Sequence, residues 1–194
     1  MSQPRITLIS SAASLTALPE AVAQLEARHG PLLDLRVYLT SHIQEERVDP
    51  EEVLESIRTS AAVLFDLRGD PDKAIALVRR GFEETAGQGI AFIPVFGGGP
   101  SVMALLRMGP FSMERMARQR SSATPVSVNY RRIKQVTEIV EKIGSLLPMG
   151  ALRHARNWVR CVQYWTNNGP DNLRELLLFV AAEYAGVKVK AGPP

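Results

Sequence analysis

Four short apolar segments, separated by helix-forming segments, occupy the first hundred residues, and this alternation constrains the fold more than any other feature of the chain. Arg5-Ile6-Thr7-Leu8-Ile9-Ser10 reads as a strand. Residues 19–29 carry Ala21, Val22 and Leu25 at helical spacing and close on Gly30. Residues 33–39 (LDLRVYL) alternate apolar and polar side chains, as a half-buried strand does. Asp49-Pro50-Glu51-Glu52 then opens a helix that runs to about Thr59. Asp49 can cap it, Pro50 suits its first turn, and two acids favour its positive end. Residues 61–67 (AAVLFDL) are almost continuously apolar, the pattern of a strand covered on both faces. Asp70-Pro71-Asp72 starts another helix, ending near Gly87, and residues 90–96 form a fourth strand that runs into Gly97-Gly98-Gly99-Pro100. Strands alternating with helices predict an α/β fold: a flavodoxin-like, doubly wound parallel sheet of about four strands with right-handed crossovers.

From Ser101 the pattern turns helical. Residues 101–108 and 111–118 read as short helices, 119–125 as a polar break, and 127–147 as a long amphipathic helix. That helix carries Ile133, Val136, Ile139, Val140 and Ile143 at helical spacing, and Pro148 marks its end. Helices over 151–167 and 171–185 follow, parted by Gly169-Pro170-Asp171-Asn172. Gly169 can end the first and Pro170 begin the second. Residues 187–190 (VKVK) read as a stub of strand. The expected division is an α/β domain over 1–100 with a helical extension over 101–190 packed on it, as two domains or one.

Composition narrows the function classes. With 45% hydrophobic and 22% charged residues the chain is an ordinary globular sequence, and no apolar run approaches the roughly 20 residues of a membrane helix. The first residues carry one arginine before a strand-like run, which makes no secretory signal, so a cytoplasmic location is expected. Cys161 is the single cysteine, which excludes an internal disulfide and a cysteine metal cluster; it reads as a small buried apolar residue. His29, His42 and His154 lie far apart without metal-ligand spacing, and no serine–histidine–acid arrangement points to a hydrolase. His42, after a strand, could face the ligand edge of the sheet. His154, beside Arg153 and Arg156, could meet a carboxylate or lie on a solvated face.

Two features carry competing readings. Residues 107–134 hold Arg107, Arg115, Arg118, Arg120, Arg131, Arg132 and Lys134 against Glu114 alone. That run is either a solvated face or a patch that attracts carboxylates, phosphates or an acidic partner. Gly97-Gly98-Gly99 lies where parallel sheets bind ligands, yet it matches neither a dinucleotide fingerprint nor a phosphate loop, and a flexible turn fits it better.

Both tryptophans stand on the 151–167 helix. Trp158 and Trp165 are seven residues apart, two turns, and share a face with Cys161 and Val162 between them. They can form a flat platform for a planar macrocycle whose acid groups meet Arg153, Arg156 and Arg160. Alternatively, they pack the helical hairpin against the 127–147 helix. Spacing alone favours packing.

The segments VMALLRMGPFSMERM (102–116) and LLPMGALRHARNWVRCVQYWTNNGPDNLRELLLFVAAEY (146–184) resemble the large-subunit family of the tetrapyrrole metal chelatases. That family contains the H subunit of magnesium chelatase and the large subunit of the aerobic cobalt chelatase. The Met-Gly-x-Phe-Ser-Met stretch is nearer the magnesium branch, and Tyr164-Trp165 followed by Gly-x-x-Asn-Leu corresponds in altered form to a second family segment. Asn167-Asn168-Gly169 replaces the family's usual Gly-Gly. Family members are far longer, and the resemblance covers their N-terminal region only. It implies ATP-dependent insertion of Mg²⁺ into protoporphyrin IX by the complete enzyme, in (bacterio)chlorophyll synthesis, with AAA+ motor subunits hydrolysing the ATP. The cobalt branch would imply cobalamin synthesis instead. In either case the chain would help hold a tetrapyrrole or dock partners without catalysing alone. The implied porphyrin contacts are Trp158, Trp165 and Arg156, with Arg107 and Phe111 at the rim; no catalytic residue, metal site or nucleic-acid partner is expected. The rival readings are a protein-interaction module built on the basic run, and an unrelated flavodoxin-like enzyme using the Gly97–Gly99 edge.

Overall fold

The computed structural model describes residues 3–96, 99–115 and 150–194. The alternation read from the sequence is realised. The order is β1 (Arg5–Ser10), α1 (Leu18–His29), β2 (Asp34–Leu39), α2 (Thr40–Gln44), α3 (Pro50–Arg58), β3 (Ser60–Asp66), α4 (Asp72–Glu84) and β4 (Ala91–Phe96). These four strands are parallel, in the spatial order β2-β1-β3-β4. The caps act largely as their residues dictate: the Asp49 carboxylate accepts from the Glu51 backbone N–H at 2.9 Å at the start of α3. Asp70 does not cap α4. It adopts φ 50°, Pro71 takes the N-cap position in extended conformation, and the helix begins at Asp72.

Beyond β4 the sequence expectation needs correcting. Helix α5 covers only Pro100–Met103, and the chain then forms β5 (Arg107–Met108) and β6 (Phe111–Ser112), an antiparallel hairpin that extends the sheet to six strands. Of the two helices read over 101–108 and 111–118, the described residues are helical only at 100–103 and 113–115, and 116–118 lie outside them. The cause lies between them: Gly109 takes φ +56° and Pro110 follows it, a turn that no helix can run through. The expected loop at 119–125 and helix at 127–147 lie outside the described residues. Helices α6 (Ala151–Asn167) and α7 (Gly169–Tyr184) form the predicted hairpin. Its bend differs in detail, because Asn168 at φ 52° ends α6 and Gly169 at φ +79° already belongs to α7. Residues 187–190 form no strand. The tail turns back onto α7, where the Gly192 N–H donates to Glu175 Oε2 at 2.6 Å.

The sheet separates two apolar layers. Ile6, Leu8, Leu64 and Ile93 face α1, α6 and α7, while Ile9, Val63, Phe65 and Phe92 face α3 and α4. Burial on both faces is why residues 61–67 read as continuously apolar. α6 packs on β4 and α7 on α1, so the C-terminal hairpin completes one of the two layers over residues of the first segment.

The second layer includes a close approach at Gly81 on α4. A Cβ there would stand 2.6 Å from Ile57 Cγ2 on α3, inside any tolerable contact. Gly81→Ala gains about 1 kcal/mol of helix propensity but incurs about 1–3 kcal/mol of overpacking against a β-branched neighbour. A net loss of stability is expected, read as a lowered urea midpoint; a raised midpoint would mean that α3 and α4 separate freely.

Candidate functional site

The strand order reverses between β1 and β3, since the chain leaves β1 toward β2 on one side and adds β3 and β4 on the other. Ligands of open parallel sheets bind outside the carboxyl ends of the strands at this reversal. Here Ser10 ends β1, Asp66 ends β3 and Phe96 ends β4. Ile9 pairs with Phe65, so Ser10 and Asp66, one step on, share the face of Leu8 and Leu64 beneath α6.

Asp66 organises this edge. Its side chain is fully buried, and five hydrogen bonds converge on it. Trp165 Nε1 donates to Oδ2 at 3.0 Å and Ser14 Oγ at 3.3 Å. Arg68 donates through its backbone N–H at 3.3 Å and Nε at 3.0 Å to Oδ1, and through a terminal nitrogen at 2.6 Å to Oδ2. A buried carboxylate is tolerated only when paired and hydrogen-bonded in this way. The Arg68 guanidinium also donates to Ser14 Oγ and lies 4.6 Å over the Phe96 ring. Ser11 Oγ and Ser14 Oγ are 3.0 Å apart. Ser10 Oγ is fully buried and has no hydrogen-bond partner among the described residues. Sequence reasoning missed this cluster. Its signal was the hydroxyl run Ser10, Ser11 and Ser14 with an acid closing an apolar strand, but only the strand order shows that these are neighbours.

The residues that the sequence offered for a macrocycle are placed differently. Trp158 is 4% and Trp165 6% exposed, so both indoles lie in the core. Trp158 Nε1 donates to the Pro94 carbonyl at 2.9 Å, and Trp165 Nε1 to Asp66. They share the predicted face, and that face is turned onto β3 and β4. Phe111 is 3% exposed with its ring 6.3 Å from that of Trp158, so these two are brought together. Arg107 belongs to the other side of the sheet. Its guanidinium lies 4.4 Å over Phe82 and 4.7 Å over Phe92, and it donates to the Phe82 carbonyl at 3.0 Å and to Thr85 Oγ1 at 2.9 Å. Burial holds its pKa below the usual arginine value. Arg156 alone among the five is exposed. Cys161 is fully buried, which raises its thiol pKa far above the ordinary value, as befits a core residue. His42 is exposed on α2. Gly97 and Gly98, and the basic run beyond Arg115, lie outside the described residues.

His154 is half-buried and supports the β5–β6 turn. Nδ1 is 3.1 Å from the Tyr184 hydroxyl, which also accepts from Asn157 Nδ2 at 3.2 Å. The imidazole presses on Gly109 so closely that a Cβ there would be 2.8 Å from Nε2. A groove of about 530 Å³ opens on the opposite layer, between Ile43, Val48, Pro50 and Leu77. Its rim cations are engaged, Lys73 with Glu46 and Arg80 with Glu84, each at 2.6 Å. Among the described residues no group of three histidines, cysteines or acids could hold a metal ion, and no helix is long and apolar enough to cross a membrane.

Comparison with known proteins adds a second line of observation. No family model matches the chain. The magnesium-chelatase subunit ChlH, chloroplastic, of Oryza sativa subsp. indica is 27% identical over 114 residues, covering 52% of this chain and 8% of that protein. Its counterpart in subsp. japonica matches equally. The catalytic subunit of cobaltochelatase from Mycobacterium tuberculosis has a fold that covers 100% of this chain and 11% of its own, with a TM-score of 0.50 at 14% identity. The chain is thus similar in sequence, over about half its length, to magnesium-chelatase H subunits, and similar in fold to part of a cobaltochelatase subunit. It spans about a tenth or less of the length of these relatives.

Two predictions follow from the geometry. Trp165→Phe keeps most of the buried ring and removes one donor from Asp66, so unfolding free energy should fall by about 1–3 kcal/mol in urea titration. An unchanged midpoint would remove the indole from the network. The His154 pKa is held below its ordinary value by burial first and then by Arg153, with Glu183 opposing. The folded state therefore disfavours the proton. Stability from this residue is whole above the ordinary histidine value of about 6.5 and is lost as pH falls below it. Tm should fall from about pH 7.5 to about pH 5 by less in His154→Gln than in the parent; equal falls would refute the assignment.

Proposed function

We propose that the chain is the N-terminal module of a tetrapyrrole metal chelatase large subunit of the magnesium type. In this reading it assists ATP-dependent insertion of Mg²⁺ into protoporphyrin IX, while AAA+ motor subunits hydrolyse the ATP. The observation that carries the reading is convergence. Similarity of sequence leads to a magnesium-chelatase subunit, and similarity of fold leads to the catalytic subunit of a cobaltochelatase. The Met-Gly-Pro-Phe-Ser-Met segment, which favours the magnesium branch, is the β5–β6 hairpin that Arg107 and His154 hold in place. The cytoplasmic location expected from the sequence stays part of this proposal, beside relatives whose names place them in the chloroplast.

The module's part is docking. Four of the five aromatic and cationic groups suited to stacking or clamping a porphyrin are committed elsewhere: Trp158 to Pro94, Trp165 to Asp66, Arg107 to the end of α4 and Phe111 to the core beside Trp158. A second reading, direct contact with the tetrapyrrole's acid groups, draws on the exposed Arg156. One pair of experiments separates them. A soluble protoporphyrin analogue is titrated into the module while its absorbance band is followed, and the module is used to capture AAA+ chelatase motor subunits at rising salt. Docking predicts capture that weakens with salt and a porphyrin band that does not saturate. Saturation lost by about tenfold in Arg156→Gln would favour the second reading. Neither capture nor saturation would overturn both.

A further inference from the structure

From the carboxyl edge of the sheet we infer a binding site for a small oxyanion, a carboxylate or a phosphate, held by the free terminal nitrogen of Arg68 and by the Ser11 hydroxyl, which turns from Ser14 Oγ to the anion. This assignment does not rest on the chelatase reading. The argument begins with what the edge offers. The carboxylate of the cluster, Asp66, is shut inside by five donors and its side chain has no exposed surface. Of the side chains gathered on Asp66, Arg68 has a donor to spare, while Ser14 gives its proton to Asp66 and Ser11 gives its own to Ser14. The Arg68 side chain is 46% exposed and spends Nε and one terminal nitrogen on Asp66 and Ser14, so the fork's other nitrogen has no hydrogen bond among the described residues. Ser11 and Ser14 are half-buried at the start of the turn that leaves β1. A cluster that turns a free guanidinium nitrogen and a rotatable hydroxyl outward and its carboxylate inward favours an acceptor ligand.

The position gives a second reason. Ser10, Asp66 and Phe96 end three adjacent parallel strands at the reversal of strand order, where this architecture places its ligands. Ser10 Oγ, fully buried beside Asp66 without a partner among the described residues, is an independent sign that the polar groups here are not arranged for folding alone. A buried hydroxyl left unpaired costs about 1–3 kcal/mol. The Arg68 guanidinium carbon lies 4.6 Å from the centre of the Phe96 ring, a contact that favours this placement of the fork without a further hydrogen bond. Because Asp66 neutralises Arg68, affinity rests on directed hydrogen bonds rather than on net charge, and millimolar binding is expected.

The test is a titration of the protein with inorganic phosphate and, separately, with succinate at constant ionic strength, followed by tryptophan fluorescence, since Trp165 reports on Asp66 directly. Saturation by one of the two is expected and names the ligand class. Arg68→Lys keeps the charge and removes the fork, and should weaken that binding by about tenfold or more. Ser11→Ala, whose hydroxyl bonds only Ser14 Oγ among the described residues, should weaken it by about threefold with an unchanged Tm. This second variant keeps the test decisive if Arg68→Lys fails to fold. No saturation by either anion in the parent protein, or parental affinity in Ser11→Ala and in a folded Arg68→Lys, overturns the site. Either result is separate from the porphyrin and capture experiments, which do not involve Arg68.

Discussion

A carboxylate with no exposed surface at the end of a central strand is the constraint around which the described structure is arranged. Asp66 must have its buried oxygens satisfied, and its partners come from three places in the chain: Ser14 after β1, Arg68 after β3 and Trp165 on α6. Removing one partner of a buried charge costs more than the pair contributes, because the remaining charge stays in low dielectric. The position of α6 on the sheet is therefore fixed by two indole N–H groups, Trp165 on Asp66 and Trp158 on the Pro94 carbonyl. The apolar contacts of Trp158, Ala155 and Cys161 then fill the layer beneath it. Each buried tryptophan removes about 150–250 Å² from water, or roughly 4–6 kcal/mol at about 25 cal/mol per Å², so the two indoles supply both the bulk and the register of this packing.

Seen in this light, the resemblance to chelatase large subunits and the burial of the aromatic residues are compatible. Aromatic and cationic residues in a chain related to tetrapyrrole enzymes invite assignment to the tetrapyrrole. Yet an indole whose N–H meets a strand carbonyl, with its faces in an apolar layer, is fully used by the fold. Arg107 is a parallel case. Two phenylalanine rings and the carbonyls of Phe82, Thr85 and Ile90 engage its guanidinium, and burial lowers its pKa.

The elements most legible in the sequence were those whose signals are local. The Asp49-Pro50 cap, the two-sided strand at 61–67 and the boundaries of α6 follow from a few neighbouring residues and emerged as read. The β5–β6 hairpin was not legible, because its strands are two residues each, too short for a period to show. The positive φ of Gly109, the pairing of Met108 with Phe111 and that of Arg107 with Phe92 define it. The pairing of Trp158 and Trp165 on one face was legible, whereas which surface that face met was not. Helical spacing says that two residues look the same way without saying at what. The sheet-edge cluster was illegible for a deeper reason: Ser14 and Trp165 are 52 and 99 residues from Asp66, and only the strand order brings them together.

The β5–β6 hairpin also joins the two sides of the sheet. Arg107 reaches into the layer of Phe82 and Phe92, while Met108 and Phe111, its neighbours along the same ribbon, are buried in the layer of Trp158. Lifting this four-residue ribbon would open both layers at once. The two halves of the core are thereby denied independent unfolding, and amide protons on α4 and on α6 should belong to one cooperative exchange unit although a sheet lies between them.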